Sequence, residues 1–146
     1  MTEAEKIRAL VEYRLDQADE ALRAAASNRT EGLDRSAVNR AYYAMFYGVL
    51  ALLAIEKKET SRHSGAMALF DQLFVKPGTV PKELSTWLHE AFALRQQVDY
   101  GTEPAPEAEE VAELLVEARQ FVARVREQAE ALLGAASPPA KDLDKG

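Results

Sequence analysis

The segment RAYYAMFY, residues 40–47, combines one arginine with three tyrosines and one phenylalanine. In a helix, Ser36, Arg40, Tyr43 and Tyr47 would share one face, because residues three and four apart are neighbours on the helix surface. A guanidinium and phenol rings on one face can hold a phosphate and stack on a base. The alternative is that the tyrosines form a core or a dimer interface, with their hydroxyls bonded locally.

A second polar group lies near the end of a later apolar stripe. Arg95 and Asp99 are one helical turn apart, and Tyr100 follows them directly. An arginine that a carboxylate holds at a helix end can act as a phosphate ligand. The alternative is a surface ion pair, which contributes only about 0.3 to 0.5 kcal/mol.

The chain contains two histidines. His63 lies in the segment SRHSG, where Ser61 or Ser64 can cap a short helix. Its imidazole could serve as a phosphate contact or as a general base, since histidine titrates near neutral pH. His89 lies off the apolar stripe of its segment, and we expect it to be solvated.

The amino-acid composition limits the classes of protein to which the chain can belong. The chain has 146 residues, the size of one domain, of which 47% are hydrophobic and 29% charged, as in soluble globular proteins. The absence of cysteine excludes disulfides and thiolate chemistry, and two histidines argue against a histidine-rich metal site, so no cofactor is expected. The net charge of −6 argues against a large footprint for duplex nucleic acid. We expect a cytoplasmic protein without a signal peptide or a membrane span.

Apolar periodicity predicts helices throughout the chain. Thr2 and Glu5 form a predicted capping box for the first helix, which is expected to end at the segment SNRTEG. The second helix begins at Asp34 or Ser36, ends before the charged segment EKKET, and is expected to be more buried than the first. A short third helix covers AMALFDQLFV and ends at the loop KPGTVP.

Two further helices complete the prediction. The fourth begins near Pro81 and ends at Gly101, which is suited to a C-cap, and the fifth ends at about Leu133. No segment has the pattern of a strand. The predicted fold is therefore all-α, an up-and-down bundle of four long helices plus one short helix over residues 1–133. Residues 134–146 are expected to form a disordered tail.

Three segments in order resemble a known family. They are AVNRAYYAMFYGVLALL, HSGAMALFDQLFVKPGTVPKEL and ALRQQVDYG. Together they resemble the HEPN domain family, the higher eukaryotes and prokaryotes nucleotide-binding domain, over roughly residues 3–133. The resemblance implies a dimeric helical bundle that often works beside a minimal nucleotidyltransferase in a toxin and antitoxin pair.

The same resemblance implies a ribonuclease motif that this chain lacks. Several branches of the family are metal-independent ribonucleases with an arginine, four to six residues of any kind, and then a histidine. The arginine corresponds to Arg95. The positions where the histidine would fall are Tyr100, Gly101 and Thr102. The corresponding positions after Arg40, which are Tyr47 and its neighbours, contain no histidine either. Cleavage of RNA needs a base for the 2′-hydroxyl proton, and His63 could supply one only if the fold places it beside Arg95.

These patterns lead to one preferred interpretation and two alternatives. We expect a nucleotide- or RNA-binding module, acting with a nucleotidyltransferase partner rather than as an enzyme. The expected binding residues are Arg40, Tyr43, Tyr47, His63, Arg95, Asp99 and Tyr100. We expect a homodimer, because the tyrosine stripe is larger than one small bundle needs. The alternatives are a metal-independent ribonuclease toxin with a degenerate motif and a purely structural dimeric adaptor.

Overall fold

The computed structural model describes residues 1–101 and 104–136 and is all-α within them. It contains four long helices and one short one, as the sequence predicts. These are α1 (Glu3–Thr30), α2 (Asp34–Ile55), α3 (His63–Phe70), α4 (Lys82–Tyr100) and α5 (Ala108–Ala136). A π-helical turn, Asp71–Val75, continues α3. No strand occurs in the described part of the chain.

The first helix begins and ends where the sequence predicts. The Glu5 backbone N–H donates to Thr2 Oγ1 at 3.1 Å, and the Thr2 N–H donates to Glu5 Oε1 at 2.9 Å, which confirms the capping box. The helix ends at Thr30, inside the segment SNRTEG, and the Thr30 hydroxyl donates to the Ala26 carbonyl.

The second helix forms the centre of the fold. It packs against α1, α3, α4 and α5, and more of its residues are buried than those of α1, as expected. It begins at Asp34, one of the two predicted starts. Leu33 is its N-cap and makes no side-chain hydrogen bond, so Asp34 lies in the first turn. An acidic residue there still stabilises the helix through the dipole.

Helix α2 also corrects the expectation that no apolar run is long enough for a bilayer. It has 22 residues and a mean hydropathy of 1.3 over its most apolar window, which suffices by length and composition. However, 67% of that window is buried inside the protein. Packing against the other four helices accounts for this apolar character.

The short helix α3 carries His63 at its first position. Arg62 is the N-cap and makes no side-chain capping bond, so neither predicted serine caps this helix. Gly65 allows the first turn to approach the preceding loop closely, since a Cβ there would lie 3.0 Å from Thr60 Oγ1.

The π-helical turn after α3 is fixed to α4 by Asp71. The Ser85 hydroxyl donates to Asp71 Oδ1 at 2.7 Å, and His89 Nε2 lies 2.9 Å from Asp71 Oδ2. The expectation that His89 is merely solvated was therefore wrong, because its imidazole pairs with a carboxylate of another element. These contacts hold α3 in place beside α4.

The boundaries of α4 agree with the sequence. Pro81 is its N-cap, and Gly101 ends it in the left-handed region at a φ of 67°, with its N–H donating to Gln97. Helix α5 continues to Ala136, past the predicted end at Leu133. The rest of the predicted tail, residues 137–146, lies outside the described residues.

Candidate nucleotide-binding site

Five aromatic rings from three helices lie together near the Arg95 side chain, and one of them is the imidazole of His63. We call this group the aromatic cluster; its members are Tyr42, Tyr43, Phe46, His63 and Phe92. Helix α2 supplies the first three rings, because positions 42, 43 and 46 lie on adjoining faces of a helix. Helix α3 supplies the histidine, and α4 supplies Phe92 together with Arg95.

His63 is held by stacking and by one hydrogen bond. Its ring lies parallel to that of Phe46, with centroids 4.3 Å apart and an interplanar angle of 12°. Its Nδ1 lies 2.6 Å from the Tyr42 hydroxyl oxygen. Because Tyr42 is fully buried at the centre of α2, this bond fixes the imidazole to the core of the protein.

The surroundings of both bonded groups favour their neutral forms. Burial raises the pKa of the Tyr42 phenol well above its ordinary value, although the Arg95 charge and a hydrogen-bonding interaction with it act in the opposite direction. Burial, and then the charge of Arg95, lower the pKa of His63. Both effects favour the neutral imidazole of His63, in which one ring nitrogen is an acceptor.

Arg95 is the charged centre of the site. Its Nε donates to Asp99 Oδ2 at 2.9 Å, and its guanidinium carbon lies between 5.4 and 5.8 Å from the ring centroids of Tyr42, Tyr43 and Phe92. Burial acts to lower the pKa of Arg95, but the hydrogen bond to Asp99 and the nearby phenols raise it overall. The guanidinium is therefore held in place and charged.

One nitrogen of this guanidinium has no partner. Nη1 is buried, and no described residue accepts a hydrogen bond from it with good geometry. The side chain as a whole is 20% exposed, so the charge can be reached from solvent. An unpaired buried donor costs about 1 to 3 kcal/mol. Because Nη1 itself is covered, an anionic ligand would meet the exposed part of the Arg95 side chain.

A second guanidinium approaches the same rings. Arg40 lies 5.0 Å from the centroid of Tyr43, whose ring also contacts Arg95. The Asn39 side-chain oxygen accepts from Nε and Nη2 of Arg40 and orients it. The structure thus brings Arg40, Tyr43 and Arg95 together, as the sequence-based hypothesis expects.

The other expected binding residues differ in placement. Asp99 holds Arg95, but it also borders a small polar cavity that includes Arg40. Tyr47 contacts the ring of Tyr43 and lines a separate cavity against α1. Tyr100 is 75% exposed, and none of the described contacts joins it to the aromatic cluster. Within the described residues, Tyr47 therefore contacts the aromatic cluster at Tyr43, whereas Tyr100 lies apart from it.

Sequence reasoning missed three rings of the cluster. Tyr42, Phe46 and Phe92 are not among the binding residues that the sequence predicts. Phe92 could have been found, since it lies three residues before Arg95 and must share its helix face. Nothing local to the sequence indicates that Tyr42 bonds His63.

A titration of His63 would test this arrangement. NMR should give a His63 pKa below the ordinary value of about 6.5. Arg95→Met should raise that pKa, because it removes a neighbouring positive charge, whereas Arg40→Met should leave it unchanged. His63 should make the protein less stable as the pH falls from about 6.5 to its lower folded pKa, because the unfolded chain then binds the proton more readily. A His63 pKa above 6.5 would contradict the geometry.

The described residues contain no group of three or more histidine, aspartate or glutamate side chains placed to hold a metal ion.

Comparison with known proteins identifies the family. The family model described as HEPN domain matches residues 11–128. A Thermotoga maritima protein named "UPF0332 protein" is 40% identical over 122 residues, which cover 84% of this chain and 90% of that protein. A Methanocaldococcus jannaschii protein named "Putative toxin MJ0605" is 33% identical over 129 residues, 88% of this chain and 92% of that protein. The chain therefore belongs to the HEPN domain family.

Proposed function

We propose that this chain is a nucleotide- or RNA-binding module whose Arg95 binds a phosphate. The observation that carries the proposal is the state of the Arg95 guanidinium, which Asp99 fixes at Nε while Nη1 stays unpaired and part of the side chain remains exposed. A phosphate oxygen is the acceptor that best matches a fixed and charged guanidinium.

The neighbouring residues suit the rest of a nucleotide. Tyr43 is only partly buried, so its ring can offer a stacking surface for a base. Arg40 adds a second positive charge close to the same ring. A chain with a net charge of −6 thus has a local site for an anion, and not a broad basic surface.

Family membership supports a role in a toxin-antitoxin-like pair. Two relatives from Methanocaldococcus jannaschii have names that describe them as toxins. We propose that this chain acts in the cytoplasm with a minimal nucleotidyltransferase as its partner. We also propose a homodimer, which the exposed aromatic residue Tyr13 on α1 would favour.

One observation favours a second candidate function, a metal-independent ribonuclease. His63 and Arg95 share three aromatic neighbours, Tyr42, Tyr43 and Phe92, although they are far apart in sequence. A neutral His63 that donates from Nδ1 to Tyr42 leaves Nε2 free to accept the 2′-hydroxyl proton of RNA. Arg95 would stabilise the charge on the phosphate while the 2′ oxygen attacks to form a 2′,3′-cyclic phosphate and the 5′ oxygen leaves with a proton from solvent water.

Binding measurements on the wild-type chain would test these functions. In EDTA, a labelled single-stranded RNA of about twelve nucleotides should bind, and excess inorganic phosphate should displace it. Intact RNA on a gel supports the binding module. Cleavage that is lost in His63→Ala supports the ribonuclease. A dimer by light scattering that binds neither RNA nor adenosine monophosphate would leave only a structural adaptor.

A further inference from the structure

A groove runs beside the aromatic cluster, between α1, α2 and the loop that precedes α3. Its cavity has a volume of about 690 Å³. The floor is apolar and includes Leu10, Phe46 and Leu50, and the rim carries Arg14, Lys58 and Arg62. Leu10 is 42% exposed, an unusual state for a leucine within an apolar floor.

The groove is continuous with the candidate phosphate site. Phe46 contributes to its floor and also stacks on His63 at 4.3 Å. Arg62 lies on its rim and directly precedes His63 in the chain. The groove and the aromatic cluster around Arg95 therefore meet at Phe46 and His63.

The charge of the groove differs from that of the whole chain. Its rim carries three cations and one acidic residue, Glu59, whereas the chain has a net charge of −6. Lys58 and Arg62 are exposed, and neither forms an ion pair with another described residue. Arg14 is occupied in part, since Nη1 donates to the Gln17 side chain at 2.9 Å. The unpaired side chains of Lys58 and Arg62, beside an apolar floor, complement a ligand that has repeated phosphates and exposed base rings.

We propose that this groove binds the next nucleotides of a single-stranded RNA whose first phosphate lies at Arg95. This inference rests on the proposed function and extends it from nucleotides in general to a strand. Lys58 and Arg62 contact the backbone phosphates, while Leu10 and Leu50 cover the bases. A duplex is excluded because its stacked and paired bases could not reach the apolar floor.

The double variant Lys58→Ala/Arg62→Ala would test the inference. Fluorescence anisotropy with a single-stranded RNA of about twelve nucleotides should show about a tenfold loss of affinity at low salt. The slope of log affinity against log salt should fall by about 1.4, since each lost phosphate contact on a single strand removes about 0.7. Adenosine monophosphate, which reaches only the Arg95 site, should bind the variant as it binds the wild type.

A matched control removes the same charge elsewhere. Lys76→Ala/Lys82→Ala changes two exposed lysines outside the groove and should leave both RNA affinity and salt slope near the wild-type values.

Other outcomes would overturn the inference in different ways. If the wild type binds RNA and the groove variant keeps the full salt slope, the groove is not used and the proposed function stands. If the variant loses RNA and adenosine monophosphate equally, the groove is not a separate extension. If polyglutamate binds as tightly as RNA and its binding depends on the same residues, the ligand of the groove is an acidic protein and not RNA. Binding of neither RNA nor nucleotide by the wild type would overturn the proposed function as well.

Discussion

Arg95→Met is expected to weaken binding of a short single-stranded RNA by about 1.5 to 3 kcal/mol, or roughly ten- to a hundredfold in dissociation constant. The reason is that the variant removes the fixed guanidinium between Asp99 and the aromatic cluster. Adenosine monophosphate binding should fall with it, because both ligands use the same phosphate contact. Anisotropy and calorimetry would measure the two affinities.

The same variant should leave the protein folded. Removal of an unpaired buried nitrogen is favourable, whereas loss of the Asp99 pair and of the ring contacts is unfavourable. We expect these effects to offset each other, so that the free energy of unfolding changes by less than about 1 kcal/mol. Arg119→Met, which alters an exposed arginine of α5, is the matched control and should keep full binding. Unchanged RNA affinity in Arg95→Met would contradict the phosphate site.

Phe70→Ala is expected to lower the free energy of unfolding by about 3 to 5 kcal/mol, more than any other substitution named in the text. Phe70 is fully buried at the end of α3, and its ring centroid lies 5.7 Å from that of Phe121 and 6.3 Å from that of Phe74. Its removal leaves a cavity between α3 and α5. Because domains of this size have only about 5 to 15 kcal/mol of stability, the effect should be easy to measure by urea unfolding.

Two further measurements make this prediction specific. Leu69→Ala changes a neighbouring, partly buried residue and should cost less than Phe70→Ala. The His63 resonance should broaden in Phe70→Ala, since α3 carries that histidine and loses its main anchor. A loss below about 1 kcal/mol would show that α3 does not depend on this ring.

Helices were predictable here because their apolar residues recur with the helical period, and five of them were found from that pattern alone. Their ends were less predictable. The N-cap of α2 is Leu33, although Asp34 is the better capping residue, because the packing of α2 fixes where it begins. The π-helical turn after α3 depends on Asp71 contacts with α4, which no local pattern reveals.

The site shows the same division between local and distant contacts. Arg95 and Asp99 were predictable as a pair because they are one turn apart on one helix. The bond between Tyr42 and His63 joins residues of two helices separated by a loop, so sequence spacing cannot reveal it. The tyrosine stripe was recognised, but which of its rings faces α3 is decided by how the helices pack.

The aromatic cluster draws its members from α2, α3 and α4, and this has a consequence for synthesis of the chain. Proteins emerge from the ribosome beginning with the N-terminus, so the tyrosines and His63 are made before Arg95. A nascent chain that ends before α4 can form a helical hairpin, but it has no guanidinium beside its rings. Local opening of α4 in the finished protein has the same effect, since it withdraws Arg95 while α1 and α2 stay packed. Under the proposed function, ligand binding would depend on the docking of α4, so partly made or partly opened chains would lack the Arg95 contact.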